Sequence, residues 1–470
     1  MRLLTAVLVL LFMVPSASTA MEPSSYGIDR ILEDPCLKKA DYCVLAKSLD
    51  GEILYAKNAG ELMTPASNMK VITSAAALEI LKPSFKFKTV FSYTGKRKGD
   101  VIEGDLVIAG HGNPHLVSED MWVMANELRK SGIRRITGNM LLDDSYFDGQ
   151  RYSRSWKLSN NRRAFEAPTG ALSLNFNSVT INIYPSAKPG VKPGAALDPQ
   201  SSYLELVNNL SSSRRRSSIK IFFKPRGGGG ETVTLAGNVM ANSKNKTYYR
   251  SVSDPVLYFG LTFREFLGSA GINLDGKIVH VPNGSAEIAK EIFIHSSWPL
   301  TDQVRYMNKF SSNFMAEQIL KTIGAEAVSI PGSFEKGIKK IEEFLRSLGF
   351  RQDGFRIVDG SGLSAENRIS CVSMVDLLDR FYKRWDSGPE FVSSLALMGM
   401  DGSVEDRLVN NGKTIRVKTG SLNFVSALSG YYPLASGGIA AFSIIMNNFS
   451  CSNGHVLAIQ DRLINEFGKY

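Results

Sequence analysis

Cysteine is scarce: four residues in a chain of 470, too few for a small scaffold stapled by disulfides in place of a core. No Cys-x-x-Cys pair occurs, so a thioredoxin-like redox site or a zinc knuckle lacks its ligands. Histidine is nearly as rare, and His111, His115, His280, His295 and His455 fall in no serine-hydrolase signature. His111-x-x-x-His115 lies in a turn-rich stretch with no third ligand to complete a metal site, so neither metal nor cofactor is expected. Beyond the N-terminus no apolar run approaches the ~20 residues that a membrane-spanning helix needs. Disorder and fibrous structure are excluded by composition, with 43% hydrophobic and 21% charged residues. The length suggests two to four domains, at roughly 100–200 residues each.

What is present begins with an export signal. Met1-Arg2 precedes an apolar run from Leu3 to Val14, Pro15 breaks it, and Ser18-Thr19-Ala20 places small residues at the cleavage positions. This is the layout of a secretory signal peptide (residues 1–20) cut after Ala20, and it predicts a soluble periplasmic or otherwise extracytoplasmic protein. Such a compartment permits disulfides. Cys36, Cys43, Cys371 and Cys451 allow three connectivities. The sequence neighbours Cys36 and Cys43 could close a short loop, leaving Cys371 to Cys451.

The 55 basic and 45 acidic residues give a net +10. Segment 171–250 holds 11 Lys or Arg against 3 Asp or Glu, which is +8 of that total. Either it is a solvated face, or it docks an anionic polymer or surface. Its few aromatics do not interleave with the basic residues, so nucleic acid is not expected as a partner.

Texture divides the chain. Residues 42–57 read as a hairpin turning at Asp50-Gly51. A helix should follow from 65, with Thr64 as N-cap and Pro65 in the first turn. From 93 to 290 the pattern is β-rich. Isoleucine or leucine, one residue, then glycine recurs around Gly104, Gly138, Gly237 and Gly276, each reading as a strand entry with a glycine kink. The irregular spacing argues against a solenoid. Helices are expected near 118–131 and 255–270 within this body. Val179–Tyr184 alternates like a half-buried strand, and 219–223 and 232–235 flank a four-glycine turn. After 292 the chain turns helical, at 300–323, 333–348 and 371–385. It then ends in strands near 415–417, 425–432 and 439–446 and a helix over 455–467.

Three short motifs stand in order: Ser67-Asn68-Met69-Lys70, Ser311-Ser312-Asn313 and Lys418-Thr419-Gly420. Serine and lysine three apart share one helix face. A lysine amine whose pKa is lowered by burial and neighbouring cations can take the serine proton, which activates a nucleophile without histidine. Each motif alone is weak, but their order and context agree: the first opens an apolar helix after a hairpin, the second sits in a helical stretch, and the third ends a strand of a terminal hairpin. Gly360-Ser361-Gly362 does not make a Gly-x-Ser-x-Gly elbow.

The triplet resembles that of β-lactamases and penicillin-binding proteins, with Ser312 where Asp is usual. Further stretches extend the likeness: Pro65–Lys70, Asp143-Asp144-Ser145-Tyr146-Phe147, Asp359-Gly360-Ser361-Gly362-Leu363-Ser364, Met400-Asp401-Gly402-Ser403 with Arg407-Leu408, and Lys418–Leu422. Together they resemble the D-alanyl-D-alanine carboxypeptidase/endopeptidase family, the low-molecular-mass class C penicillin-binding proteins. In Gly110–Pro114, Asn113 stands where the family usually has Asp.

The resemblance implies an α/β (α+β) fold, a serine β-lactamase/transpeptidase-like sheet flanked by helices, with a large β-rich insertion between the first and second motifs. It implies a catalytic domain of 21–92 plus 292–470, an inserted domain of 93–170 plus 251–291, and a nested basic domain of 171–250. Its substrates would be peptidoglycan stem peptides ending in D-Ala-D-Ala, and its inhibitors β-lactams. Ser67 would be the nucleophile, Lys70 its base and Ser311 a proton relay. Asn313, Lys418, Thr419, Gly420 and Ser421 would bind substrate. Asp144 would either line the site or be a satisfied turn aspartate. A β-lactamase or esterase with the same site, and a non-catalytic peptidoglycan-binding scaffold, are the competing readings.

Overall fold

The computed structural model describes residues 25–284, 289–409 and 412–470. The signal segment lies outside them. No described helix is long and apolar enough to cross a membrane.

The expected hairpin pairs Asp41–Ser48 with Ile53–Lys57, and Gly51 supplies a positive φ of 105° at its turn. The rest of this sheet comes from the far end of the chain. Ile439–Asn447 lies beside Asp41–Ser48, followed by Val425–Pro433, Arg416–Leu422 and Ala396–Leu397, all antiparallel. The two central strands are buried at nearly every residue, because helices cover both faces. Successive side chains alternate between those faces. Cys43, Leu45, Ala427 and Ile445 join a core with the helices Met69–Ile80, Asn313–Ala327 and Cys371–Tyr382. Val44, Ala46, Leu428 and Ile444 join the terminal helices Ser25–Leu32 and Asn453–Phe467.

This alternation decides the disulfides. Cys43 faces the first core and bonds Cys371; Cys36 lies under the second and bonds Cys451. The short Cys36–Cys43 loop therefore does not form, because the sheet stands between the two side chains. Cys43–Cys371 ties a covering helix to the sheet over 328 residues, and Cys36–Cys451 joins the turn after the first helix to the loop before the last over 415. Such crosslinks typically stabilise by about 2–4 kcal/mol.

The β-rich texture of 93–290 resolves into stacked rungs. Val101–Glu103, Arg135–Ile136 and Asn273–Leu274 run parallel in one sheet, and after a glycine in each case Leu106–Gly110, Met140–Asp143 and Ile278–His280 run parallel in a second. Gly104, Gly138 and Gly276 mark the crossings. A Cβ on Gly276 would stand 2.1 Å from the Gly138 carbonyl oxygen, and one on Gly138 2.5 Å from that of Gly104. Three of the four repeats thus stack as solenoid rungs do, contrary to expectation. Their spacing is irregular because the helix Ser118–Lys130 and the whole of 144–272 are threaded between rungs. The fourth glycine, Gly237, is a positive-φ position within the strand Glu231–Met240.

Segment 171–250 contributes two three-stranded sheets. Ser178–Tyr184 alternates as read, and Ser218–Pro225 pairs with Glu231–Met240 across the glycine turn. Ile181, Val233 and Leu235 share one core with Phe91, Met140 and Phe259 of the surrounding insertion. Arg214, Arg215, Arg216, Lys220 and Lys224 are exposed. The expected helix runs over Pro255–Ser269, and Asp254 caps it through the Leu257 N–H.

Candidate active site

The chain enters the first motif through an unusual turn. Thr64 is not the N-cap. Its N–H donates to Asn447 Oδ1 and its hydroxyl to the Ala365 carbonyl, so its hydrogen-bonding capacity is spent on the sheet and a loop. Ala66 is left-handed at φ 46°, Ala66–Asn68 form a 3₁₀ turn, and the helix proper runs from Met69 to Ile80. Ser67 is therefore lifted to the helix mouth, half-buried, with Lys70 one turn below it and fully buried. Asn68 Nδ2 donates to Ser429 Oγ and pins the turn to the sheet.

Lys70 Nζ sits 2.9 Å from Ser67 Oγ, 2.7 Å from Asn313 Oδ1 and 2.7 Å from the Ser361 carbonyl oxygen. Three acceptors match the three N–H groups of an ammonium. Burial pushes its pKa down to about 7, while Asp359 and Glu317 resist that fall. A lysine so placed spends an appreciable fraction of time neutral near pH 7, when it can accept the Ser67 proton.

The second motif is not inside a helix. The expected 300–323 helix breaks into Leu300–Lys309 and Asn313–Ala327, and Ser311 occupies the break at φ 55°. Ser312 causes the restart: its side chain caps the second helix by accepting from the Met315 N–H. The left-handed turn swings Ser311 Oγ to 3.0 Å from Lys418 Nζ. Asn313 is consequently the first residue of a helix and spans two regions, accepting from Lys70 and donating through Nδ2 to the Phe165 carbonyl of the insertion.

The third motif runs through a strand and does not end it. Lys418, Thr419, Gly420 and Ser421 all lie within Arg416–Leu422. Lys418 is buried, and burial followed by the nearby Lys70 charge holds its pKa well below the usual lysine value. Thr419 Oγ1 is 2.8 Å from Ser403 Oγ, from another of the quoted stretches. At Gly420 a Cβ would stand 2.6 Å from the Pro65 carbonyl oxygen and 3.1 Å from the Ser67 nitrogen. Only glycine lets this strand pass the Ser67 turn so closely. Ser421 is exposed on the next position.

Two acidic residues complete the cluster, and neither was singled out for a role from sequence. Glu317, four residues after Asn313, accepts from the Gly360 and Ser361 N–H groups at 3.0 and 2.8 Å. Asp359 accepts from the N–H groups of Gly362 and Ser364, from Asn367 Nδ2 and from Trp156 Nε1. Together they shape loop 359–364 so that the Ser361 carbonyl aims at Lys70. Burial and the Asp359 charge raise the pKa of Glu317 to about 8. Glu317 is buried within the helical run Phe314–Ala325, where a lone acid carries no sequence motif.

Asp144 is not brought to this cluster. It is buried on the insertion, where Arg151 Nη2 donates to it at 2.7 Å and His280 Nε2 also bonds it. Among the described residues those are its side-chain partners. The Asn113 departure is harmless, because its Oδ1 accepts from the His115 N–H and closes the local turn.

Residues 25–465 match the D-Ala-D-Ala carboxypeptidase 3 (S13) family. The chain belongs to that family. It is a serine-type D-Ala-D-Ala carboxypeptidase. A D-alanyl-D-alanine carboxypeptidase of Actinomadura sp. (strain R39) is 32% identical over 94% of this chain and 84% of its own. The crystal structure of penicillin binding protein 4 from Haemophilus influenzae superposes with a TM-score of 0.82 at 24% identity, covering 94% of this chain and 99% of that one. The same protein complexed with a β-lactam gives 0.76 at 23% identity, covering 94% and 100%. Both similarities establish the fold: a mixed α/β penicillin-binding-protein architecture.

Proposed function

We propose that Ser67, Lys70, Ser311, Asn313, Lys418, Thr419, Gly420 and Ser421 form the active site of this S13 carboxypeptidase, acting on peptidoglycan stem peptides. The observation that carries the proposal is a buried lysine amine 2.9 Å from a serine hydroxyl. Neutral Lys70 takes the Ser67 proton as Oγ attacks the carbonyl carbon of the penultimate D-Ala. The backbone N–H groups of Ser67 and Ser421 hold the oxyanion, each worth about 3–4 kcal/mol. Ser311, on Lys418, passes a proton to the departing nitrogen. The C–N bond breaks, and free D-Ala leaves. Lys418 and Thr419 hold the terminal carboxylate beforehand. Water then hydrolyses the Ser67 ester and returns its proton through Lys70.

A β-lactam presents the same carbonyl but keeps its leaving nitrogen tethered, so a long-lived ester on Ser67 is expected. A rapidly released, hydrolysed β-lactam would instead mark a β-lactamase. Crosslink cutting needs only a different leaving amine, that of a second stem peptide. The proposed setting is the periplasm or another extracytoplasmic space. The three-part division at 93, 171, 251 and 292 is likewise proposed, supported by the separate sheets of 41–57 with 396–447 and of the insertion. The test is mass spectrometry after incubation with labelled penicillin. A stable adduct on Ser67 that is absent from Ser67→Ala is expected, and an adduct that persists in Ser67→Ala would overturn the assignment.

A further inference from the structure

A groove of about 660 Å³ opens from Ser311 and Asn313 along the insertion. The roles proposed above use only its mouth. Six aromatic rings line it: Phe165, Phe176, Tyr249, Tyr306, Phe310 and Phe314. Phe176, Tyr306, Phe310 and Phe314 form a continuous wall. Phe310 packs on Tyr306 at 4.6 Å between centroids, and Tyr306 stacks on Phe176 at 5.6 Å with only 15° between planes. Phe314 meets Phe176 edge-on at 6.2 Å. Yet Phe310 is 61% exposed and Tyr249 59%, so ring faces remain open to a ligand.

The wall is held in place by strained backbone. Asn175, Phe176 and Asn177 are three consecutive non-glycine residues in the left-handed region, at φ 48°, 57° and 50°. Such a conformation persists only where its surroundings over-determine it, and it concentrates at functional sites. Here Asn175 Oδ1 accepts from the Ser118 N–H, Asn177 Oδ1 from the Leu174 N–H, and Asn177 Nδ2 donates to the Pro168 carbonyl. The outcome is that Phe176 is turned into the groove.

Charge selects the occupant. In a chain of net +10, the described groove lining carries two carboxylates, Glu119 and Asp198, and no lysine or arginine. A stem peptide rich in carboxylates is disfavoured there. A neutral ligand with flat C–H faces and a rim of hydroxyls is favoured. Aromatic faces take the former, and the carboxylates with the Ser178 and Thr180 hydroxyls take the latter. We propose that this groove binds the N-acetylated sugars of the glycan strand, so that the enzyme holds the peptide it cuts by the saccharide to which that peptide is attached. This rests on the peptidoglycan substrate proposed above.

The experiment compares kcat/KM for D-Ala release from a free pentapeptide and from the same pentapeptide on an N-acetylglucosaminyl-N-acetylmuramyl disaccharide. The disaccharide substrate should be favoured about tenfold, and Tyr249→Ala should reduce that ratio roughly three- to tenfold, the scale of one lost aromatic contact. Diacetylchitobiose binding, followed by saturation-transfer NMR, should weaken in the same variant and reports without catalysis. A wild-type ratio near one, or a preference that Tyr249→Ala leaves untouched, overturns the saccharide assignment while free-peptide turnover leaves the carboxypeptidase reading standing. No D-Ala release from either substrate overturns both.

Discussion

At Lys70 two forces oppose each other. Burial removes the ammonium from water, and the carboxylates of Glu317 and Asp359 restore part of what is lost. The balance near pH 7 has consequences. The rate of Ser67 acylation should rise with pH as Lys70 deprotonates, with a midpoint near 7, read by stopped-flow with a chromogenic β-lactam. Lys70→Met should lower that rate about 10²–10⁴-fold, the usual range for a lost general base. Glu317, with its pKa raised to about 8, is ionised only in the upper part of this pH range, where its charge raises the Lys70 pKa; Glu317→Gln removes that charge, so the upper part of the rising limb should complete at lower pH. A purely structural Glu317 would cost activity without moving the limb. Ser67, Lys70, Ser311, Asn313 and Lys418 were legible as a set from their order and spacing, and the fold brings their side chains together. Glu317 was not, since a single acid in a helix has no motif, and its meaning arises only when loop 359–364 folds over it.

Secondary-structure elements position these side chains through backbone detail that residue types barely encode. The break at Ser311 was invisible to helical periodicity, because apolar residues continue across it while Ser312 quietly restarts the helix. The Thr64 cap failed for the opposite reason: the residue type was right, but its hydrogen bonds went to Asn447 and Ala365. Strands and most helices were legible because period-two and period-3.6 patterns survive in the sequence. Glycines mark the close approaches. At Gly362, with φ 78°, a Cβ would stand 1.8 Å from the Ala66 carbonyl oxygen. Gly362→Ala should therefore displace the nucleophile turn and reduce acylation at least about 10²-fold, as misplacement near reacting atoms does. An acylation rate within threefold of wild type would show that loop 359–364 does not position Ser67.

Across the whole molecule, the insertion is wired into the site it interrupts. Trp156 Nε1 bonds Asp359, the Phe165 carbonyl receives Asn313, and buried Lys321 donates to the Gln150 carbonyl. Gln318 Nε2 reaches the Gly170 carbonyl from the same helix that carries Asn313. A β-rich insertion was apparent from texture, but this connectivity was not, because it joins residues more than a hundred positions apart. The disulfide pairing was hidden for a related reason: which face of a sheet a cysteine occupies is settled by register, and the partners come from opposite ends of the chain. Cys43→Ser with Cys371→Ser should lower stability by about 2–4 kcal/mol in chemical unfolding, while the Cys36–Cys451 bridge remains. Trp156→Phe keeps the ring but loses the bond to Asp359, and it should slow acylation while leaving the unfolding midpoint nearly unchanged.

The central claim is that Ser67 is primed by its neighbour Lys70 from within a closed cluster. Its most direct test is the pH dependence of Ser67 ester formation with a labelled penicillin, followed by intact-protein mass in the wild type and Lys70→Met. A wild-type rate climbing through pH 7, with a flat and far slower profile in Lys70→Met, is the predicted result. An adduct on another residue, or a Lys70→Met profile that still climbs through the same pH at a comparable rate, would contradict it.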